Sequence, residues 1–126
     1  MRVAGARAAD HRSRLVSFEG AVVTSVTAWR HGVSLAFNDE ARAINIEGQA
    51  DVSAGGRLER YPVGASVALA KRLLDLVGRC IERITVSEDG ALVVAFDEEF
   101  VLRAAADETG YESYVVSFPD EFILAG

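Results

Sequence analysis

A single cysteine, Cys80, and two histidines, His11 and His31, are all the thiol and imidazole ligands that this chain of 126 residues holds. One cysteine excludes an intramolecular disulfide, and the compartment expected for such a chain is a reducing one, the cytoplasm. The histidines have no cysteine or second histidine at ligand spacing, so neither a metal nor a cofactor is expected. No apolar run approaches the ~20 residues of a membrane span, and the opening MRVAGARAADHRSRL lacks the apolar centre of a secretory signal. Neither membrane nor export is expected. Lysine is also nearly absent: Lys71 stands alone among 13 basic residues, an arginine bias that points to a GC-rich bacterial genome.

What is present is a balanced globular composition, 50% apolar and 25% charged. A chain of this length forms one domain that buries roughly two thirds of its unfolded surface. The expected division is a flexible arginine-rich arm over residues 1–14 and a single domain over 15–126. The net charge of −6 is unevenly spread, because from residue 97 onward Asp97, Glu98, Glu99, Asp107, Glu108, Glu112, Asp120 and Glu121 face Arg103 alone. Such a field repels nucleic acid and favours a basic protein partner.

Two stretches follow one order of events: GAVVTSVTAWRHGVSLAFNDE from residue 20 and GRCIERITVSEDGALVVAFDEE from residue 78. In each, Gly opens a β-branched run, a second Gly follows twelve residues on, and an apolar run ending in Ala-Phe meets an acidic cluster. The alternation predicts strands. Cys80 takes the place of Val22, which predicts a buried, inert thiol. Arg30-His31-Gly32 and Glu88-Asp89-Gly90 predict hairpins whose glycine supplies a positive φ, and one extra residue before Phe96 predicts a bulge. Further turns at Asn38-Asp39-Glu40 and Asp97-Glu98-Glu99 make each copy a three-stranded meander, repeat one over 20–48 and repeat two over 78–106.

Between the copies, Ala54-Gly55-Gly56 and Tyr61-Pro62-Val63-Gly64 read as loops. Ser66 is expected to cap a helix over 66–77, with Gly78 as its stop. The apolar arc of that helix is wide enough to require a covering sheet. Alternation resumes after Tyr111 and predicts a hairpin over 111–125 that turns at Pro119-Asp120. The expected fold class is therefore α+β, two antiparallel three-stranded meanders plus a C-terminal hairpin curved around one central amphipathic helix.

Signals for catalysis are weak. The stretch around Ser66 lacks the second glycine of a nucleophile elbow, and Ala54-Gly55-Gly56-Arg57 lacks the spacing of a phosphate loop. No catalytic residue is expected, and the chain reads as not an enzyme. A pocket carboxylate among Glu47, Glu82 and Asp107 is the one enzymatic alternative. Glu82 sits on an otherwise apolar strand face and is expected to reach solvent through a local bulge. Trp29 reads as a core-edge residue. The stretch DETGYESY combines anions with amphipathic rings, which suits a protein interface. Its Asp107, Glu108, Tyr111, Glu112 and Tyr114, with Glu98 and Glu99 of the preceding turn, are the candidate partner-binding residues.

Gly20, Val23, Val26, Leu35, Phe37, Ile46, Glu47 and Gly48, then Leu73, Leu74, Leu76, Gly78 and Phe96, and finally Tyr111, Glu112, Tyr114, Pro119 and Asp120 carry a resemblance. The chain resembles an uncharacterised family of small bacterial domains built on a repeated glycine, valine and L-x-I-E-G phrase, a Leu-Leu-x-L-x-G helix and a Pro-Asp hairpin. The likeness spans most of residues 15–124; tryptophan is commoner than tyrosine at position 114, and glycine is missing from both acidic turns. Such domains look similar to immunity proteins encoded beside secreted bacterial toxins. The resemblance thus implies a protein-binding module that neutralises a basic toxin through its acids and tyrosines. The alternative is a structural or small-ligand-binding homodimer without catalysis, paired through its sheet edges.

Overall fold

Alternation with a period of two residues builds most of the chain. The computed structural model describes residues 2–3, 14–39, 41–97, 99–106, 113–120 and 123–126. After β1 (Arg2–Val3) and a helical turn at 14–16 come β2 (Val23–Trp29), β3 (Gly32–Phe37), β4 (Ala43–Ile46), β5 (Ala50–Ala54) and β6 (Arg57–Tyr61). Helix α1 (Ser66–Leu73) follows, then β7 (Arg83–Val86), β8 (Leu92–Asp97), β9 (Phe100–Ala104), β10 (Tyr114–Ser117) and β11 (Ile123–Ala125). One sheet has the order β1-β11-β10-β4-β3-β2 and the other β6-β5-β9-β8-β7, with every pairing antiparallel. The chain is mostly β, and α+β holds in the coarse sense that one short helix accompanies two sheets.

Each sheet draws on both halves of the sequence. In the first, β2, β3 and β4 lie side by side and β10 adds to β4, pairing Tyr114 with Ile46 and Val116 with Ile44. In the second, β7, β8 and β9 lie side by side and β5 adds to β9, pairing Ala50 with Ala104 and Val52 with Leu102. The sheets also meet through backbone bonds between residues 20–23 and 78–81. Gly20 donates to Ile81 and Gly78 to Val23, at 2.7 and 2.8 Å, while Ile81 donates to Ala21 and Val23 to Arg79, at 2.9 and 3.0 Å. Both inner faces feed a single apolar cluster that includes Phe18, Phe37, Ile44, Ile84, Leu92, Phe96 and Leu102. Edge-to-face contacts of Phe18 with Phe37 and Phe118, at 5.5 and 5.2 Å between centroids, close one end of it.

Several expectations are corrected. The helix ends at Leu73 and tightens into a 3-10 turn at Leu74–Leu76, with Gly78 (φ 89°) reversing the chain. It buries Leu69, Ala70 and Leu73 against β2 and β3 but leaves Val67, Leu74 and Val77 exposed, so it flanks the core and is not its centre. Ser66 is the first helical residue; Ala65 occupies the cap position, and no side chain caps the helix. Gly55 and Gly56, both at positive φ, form the two-residue turn of the β5-β6 hairpin, where a loop was expected. Gly32 is not at positive φ. It is there because a Cβ would stand 2.4 Å from the Ile46 carbonyl oxygen. Cys80 is exposed, since β7 begins three residues later and Cys80 only bridges Val22. The irregularity in β8 falls between Ala95 and Asp97, against β9.

Candidate functional site

Of the seven residues expected to bind a partner, the structure brings few into view. Glu98, Asp107, Glu108, Tyr111 and Glu112 lie outside the described residues. Glu99 is exposed in the β8-β9 turn, where its N–H and that of Phe100 both donate to Asp97 Oδ1 at 2.9 Å. Asp97 in turn pairs with Arg79 at 2.9 Å. Tyr114 corrects the expectation outright: it is 0% exposed, because its register opposite Ile46 turns it inward with Val116. Its hydroxyl donates to the Gly90 carbonyl at 2.8 Å, which ties β10 to the turn between β7 and β8. Burial pushes its phenol up to about 12. An anchor on a partner must be exposed, and Tyr114 is not.

The described carboxylates are largely matched with arginine. Glu59 accepts from Arg72 Nε and from the Tyr61 hydroxyl, both at 2.8 Å, and these bonds hold its pKa below the usual value. Arg72 also reaches Asp75 at 2.8 Å and lies 5.1 Å from the Phe100 ring. Asp89 is held down to about 2, first by the Ser87 hydroxyl, then by Arg103 and the Ala91 N–H. Glu82 is exposed one residue before β7, beside a hollow of about 310 Å³ on the outside of the second sheet that Asp97 and Arg83 also border. Among the described residues no group of three His, Cys, Asp or Glu side chains is placed to hold a metal. Among them, too, no helix is long and apolar enough to cross a membrane.

The outer faces of the two sheets differ in kind. Across the second, one cross-strand row reads Thr85, Val93, Arg103, Asp51, Arg60 and the next Arg83, Ala95, Val101, Ser53, Leu58. Arg60 binds Asp51 at 3.0 Å and Arg103 binds Asp89, the pattern of a solvated face. Across the first sheet the rows read Thr27, Ser34, Asn45, Val115, Ala125 and Ser25, Ala36, Ala43, Ser117, Ile123. No charged residue stands in either row from β2 to β11; Ala125 at the end of the first row is buried, and the register places Arg2 of β1 next to it. Sequence reasoning missed this face because its signal is the absence of charge at alternate positions of strands that are distant in the chain.

A second feature lies where β2 ends against the start of α1. Ala28, Trp29, Arg30 and residues 64–68 line a recess of about 280 Å³. Trp29, expected at the core edge, is 37% exposed, and its Cζ2 lies 3.1 Å from where a Gly32 Cβ would stand. Glu47 Cγ lies equally close to that point.

Two antiparallel sheets closed on one core, with a short flanking helix and distinctive surfaces on the outside of a sheet and at the helix start, define the class of this protein. Within that class, the chain belongs to a family of unknown function (DUF6188), whose pattern matches residues 13–125. No curated protein and no solved structure matches it.

Proposed function

We propose that this protein is a non-catalytic binding module that docks a basic protein partner on the outer face of its first sheet. The observation that carries this is the pair of charge-free rows through Thr27, Asn45 and Val115 and through Ser25, Ala43 and Ser117. In a chain that is 25% charged, rows without a charge from β2 to β11, ending at Arg2 on the β1 edge, suit the centre of an interface, where charged residues are depleted. Small side chains keep the surface flat, and strands at ~4.8 Å spacing make it roughly 20 Å wide. The net charge of −6 steers a cationic partner toward it. A toxin-type effector is the specific partner put to the test. The carboxylates with depressed pKa, Glu59 and Asp89, serve structure through Arg72 and Arg103, in keeping with a role without catalysis.

We also infer an internal duplication in which two three-stranded meanders exchange their following hairpins. Support comes from the equivalence of β2-β3-β4 with β7-β8-β9, and of the β5-β6 hairpin with β10-β11, each hairpin adding to the other half's sheet. The bonds between 20–23 and 78–81 fall into two pairs that exchange when 58 residues are added to one half.

The test is co-expression with the effector encoded beside the gene, followed by affinity capture of wild type and of Thr27→Lys/Ser117→Lys. Co-purification lost in the double variant, with an unchanged thermal midpoint, is expected. Capture that survives both lysines refutes docking on this face. Sedimentation showing a dimer that the lysines dissociate would replace the partner with a second copy.

A further inference from the structure

The recess at the start of α1 has features that the docking face does not use. Ala65 at the cap position has no side-chain acceptor, no acid stands in the first turn, and no side chain caps the helix. The first-turn N–H groups of an α-helix have no partner within the helix, and together with its dipole they favour an anion. An uncapped helix start is common enough to mean little alone. The hydroxyl of Ser66 makes it specific: Ser66 is 9% exposed, lines the recess, and has no hydrogen-bond partner among the described residues. A buried hydroxyl left unmatched costs the fold free energy unless a ligand or water completes it. On the opposite wall Arg30 makes no ion pair among the described residues, and the Trp29 indole is partly open to solvent.

We propose that this recess binds a small organic anion, a carboxylate or phosphate carried on a flat apolar ring. The anionic group sits between the helix start, the Ser66 hydroxyl and the Arg30 guanidinium, and the ring lies against the Trp29 indole. At about 280 Å³ the space suits a compact ligand, below the ~300–1,000 Å³ of drug-sized sites. Glu47 borders the narrower gap beneath, which Ser66 also lines, so its charge opposes the anion and limits affinity. The charge-free rows contribute none of the groups that hold the anion.

Trp29 is the only tryptophan, so its fluorescence reports this recess directly. The folded full chain is titrated with phenyl phosphate, benzoate, inorganic phosphate and benzyl alcohol. A saturable change with either aromatic anion, half-complete at or below ~10 mM, and none with benzyl alcohol is the expected result. Arg30→Ala weakens the binding about tenfold by removing a charge-assisted hydrogen bond. Glu47→Gln tightens it. Ala65→Asp supplies an internal carboxylate at the cap position, so it abolishes binding while raising the thermal midpoint, which separates loss of the site from loss of the fold. No saturable response to either aromatic anion overturns the proposal, as does unchanged affinity in both Arg30→Ala and Ala65→Asp. Inorganic phosphate binding as tightly as phenyl phosphate overturns the part assigned to the indole.

Discussion

Replacing Tyr114 with Phe should destabilise the protein at neutral pH and stabilise it in strong alkali, so that the two stability curves cross. Phe keeps the buried ring and loses the bond to the Gly90 carbonyl, 2.8 Å long in the native chain. One hydrogen bond of this kind contributes about 1 kcal/mol. In a domain of this size that lowers the thermal midpoint by about 4 °C. Alkali reverses the balance. Burial raises the Tyr114 phenol from 10.0 to about 12. Because the folded pKa is raised, its contribution to stability is complete below pH ~10 and drains away as pH climbs toward 12. Each pKa unit is worth 1.36 kcal/mol, so wild type loses about 2 kcal/mol by pH ~12, a loss that the variant does not share. The curves should therefore cross near pH ~11. Tyr61, whose pKa is also raised, chiefly by burial, is common to both proteins and cancels in the difference. Urea titrations followed by Trp29 emission from pH ~7 to ~12 would measure this. Parallel curves throughout would refute the placement of Tyr114 as a buried, cross-sheet donor.

Phe18→Ala should cost about 3–5 kcal/mol, because the ring is fully buried and meets Phe37 and Phe118 edge to face. A urea midpoint close to that of wild type would contradict the packing. Gly48→Ala should cost about 1–3 kcal/mol, since its new Cβ would stand 2.3 Å from Ser113 Cβ. An unchanged melting temperature would show that this close approach does not exist. Exposed Cys80 should react with one equivalent of a thiol reagent in the native protein, without denaturant. A thiol silent until unfolding would restore the buried position expected from the alternation.

Where local chemistry decides the outcome, the fold is legible in the sequence. The strands around Val26 and Val94, the acidic turn at Asp97 and the final hairpin are set by alternation and by turn residues, and all of these are near in the chain. The β5-β6 hairpin is not legible because Leu58 is 64% exposed and lies between Arg57 and Glu59, so its strand shows little apolar alternation, and because Gly55-Gly56 suits a loose loop as well as a tight turn. Cys80 and Tyr114 depart from the expectation for a different reason. Their burial is set by register against Val22 and Ile46, partners 58 and 68 positions away along the chain, and alternation within a strand does not say which face a neighbouring sheet will cover. The same distance hides the two surface features proposed to bind. Thr27, Asn45 and Val115 become one row only after β10 has joined β4, and Arg30 and Ser66 line one recess only once α1 has settled beside β2.

The pairing of β4 with β10 and of β5 with β9 also bears on the order in which the sheets are completed at the ribosome. Strands β2, β3 and β4 emerge early but leave a bare edge until β10 arrives some seventy residues later, while β5 and β6 wait for β9. Pairings this remote place folding toward the slow end, milliseconds to seconds, for small domains. A nascent chain translated at ~5–20 residues per second therefore holds an open, aggregation-prone edge for several seconds. Until β10 arrives, that half-built sheet presents the kind of unpaired edge that chaperones shield.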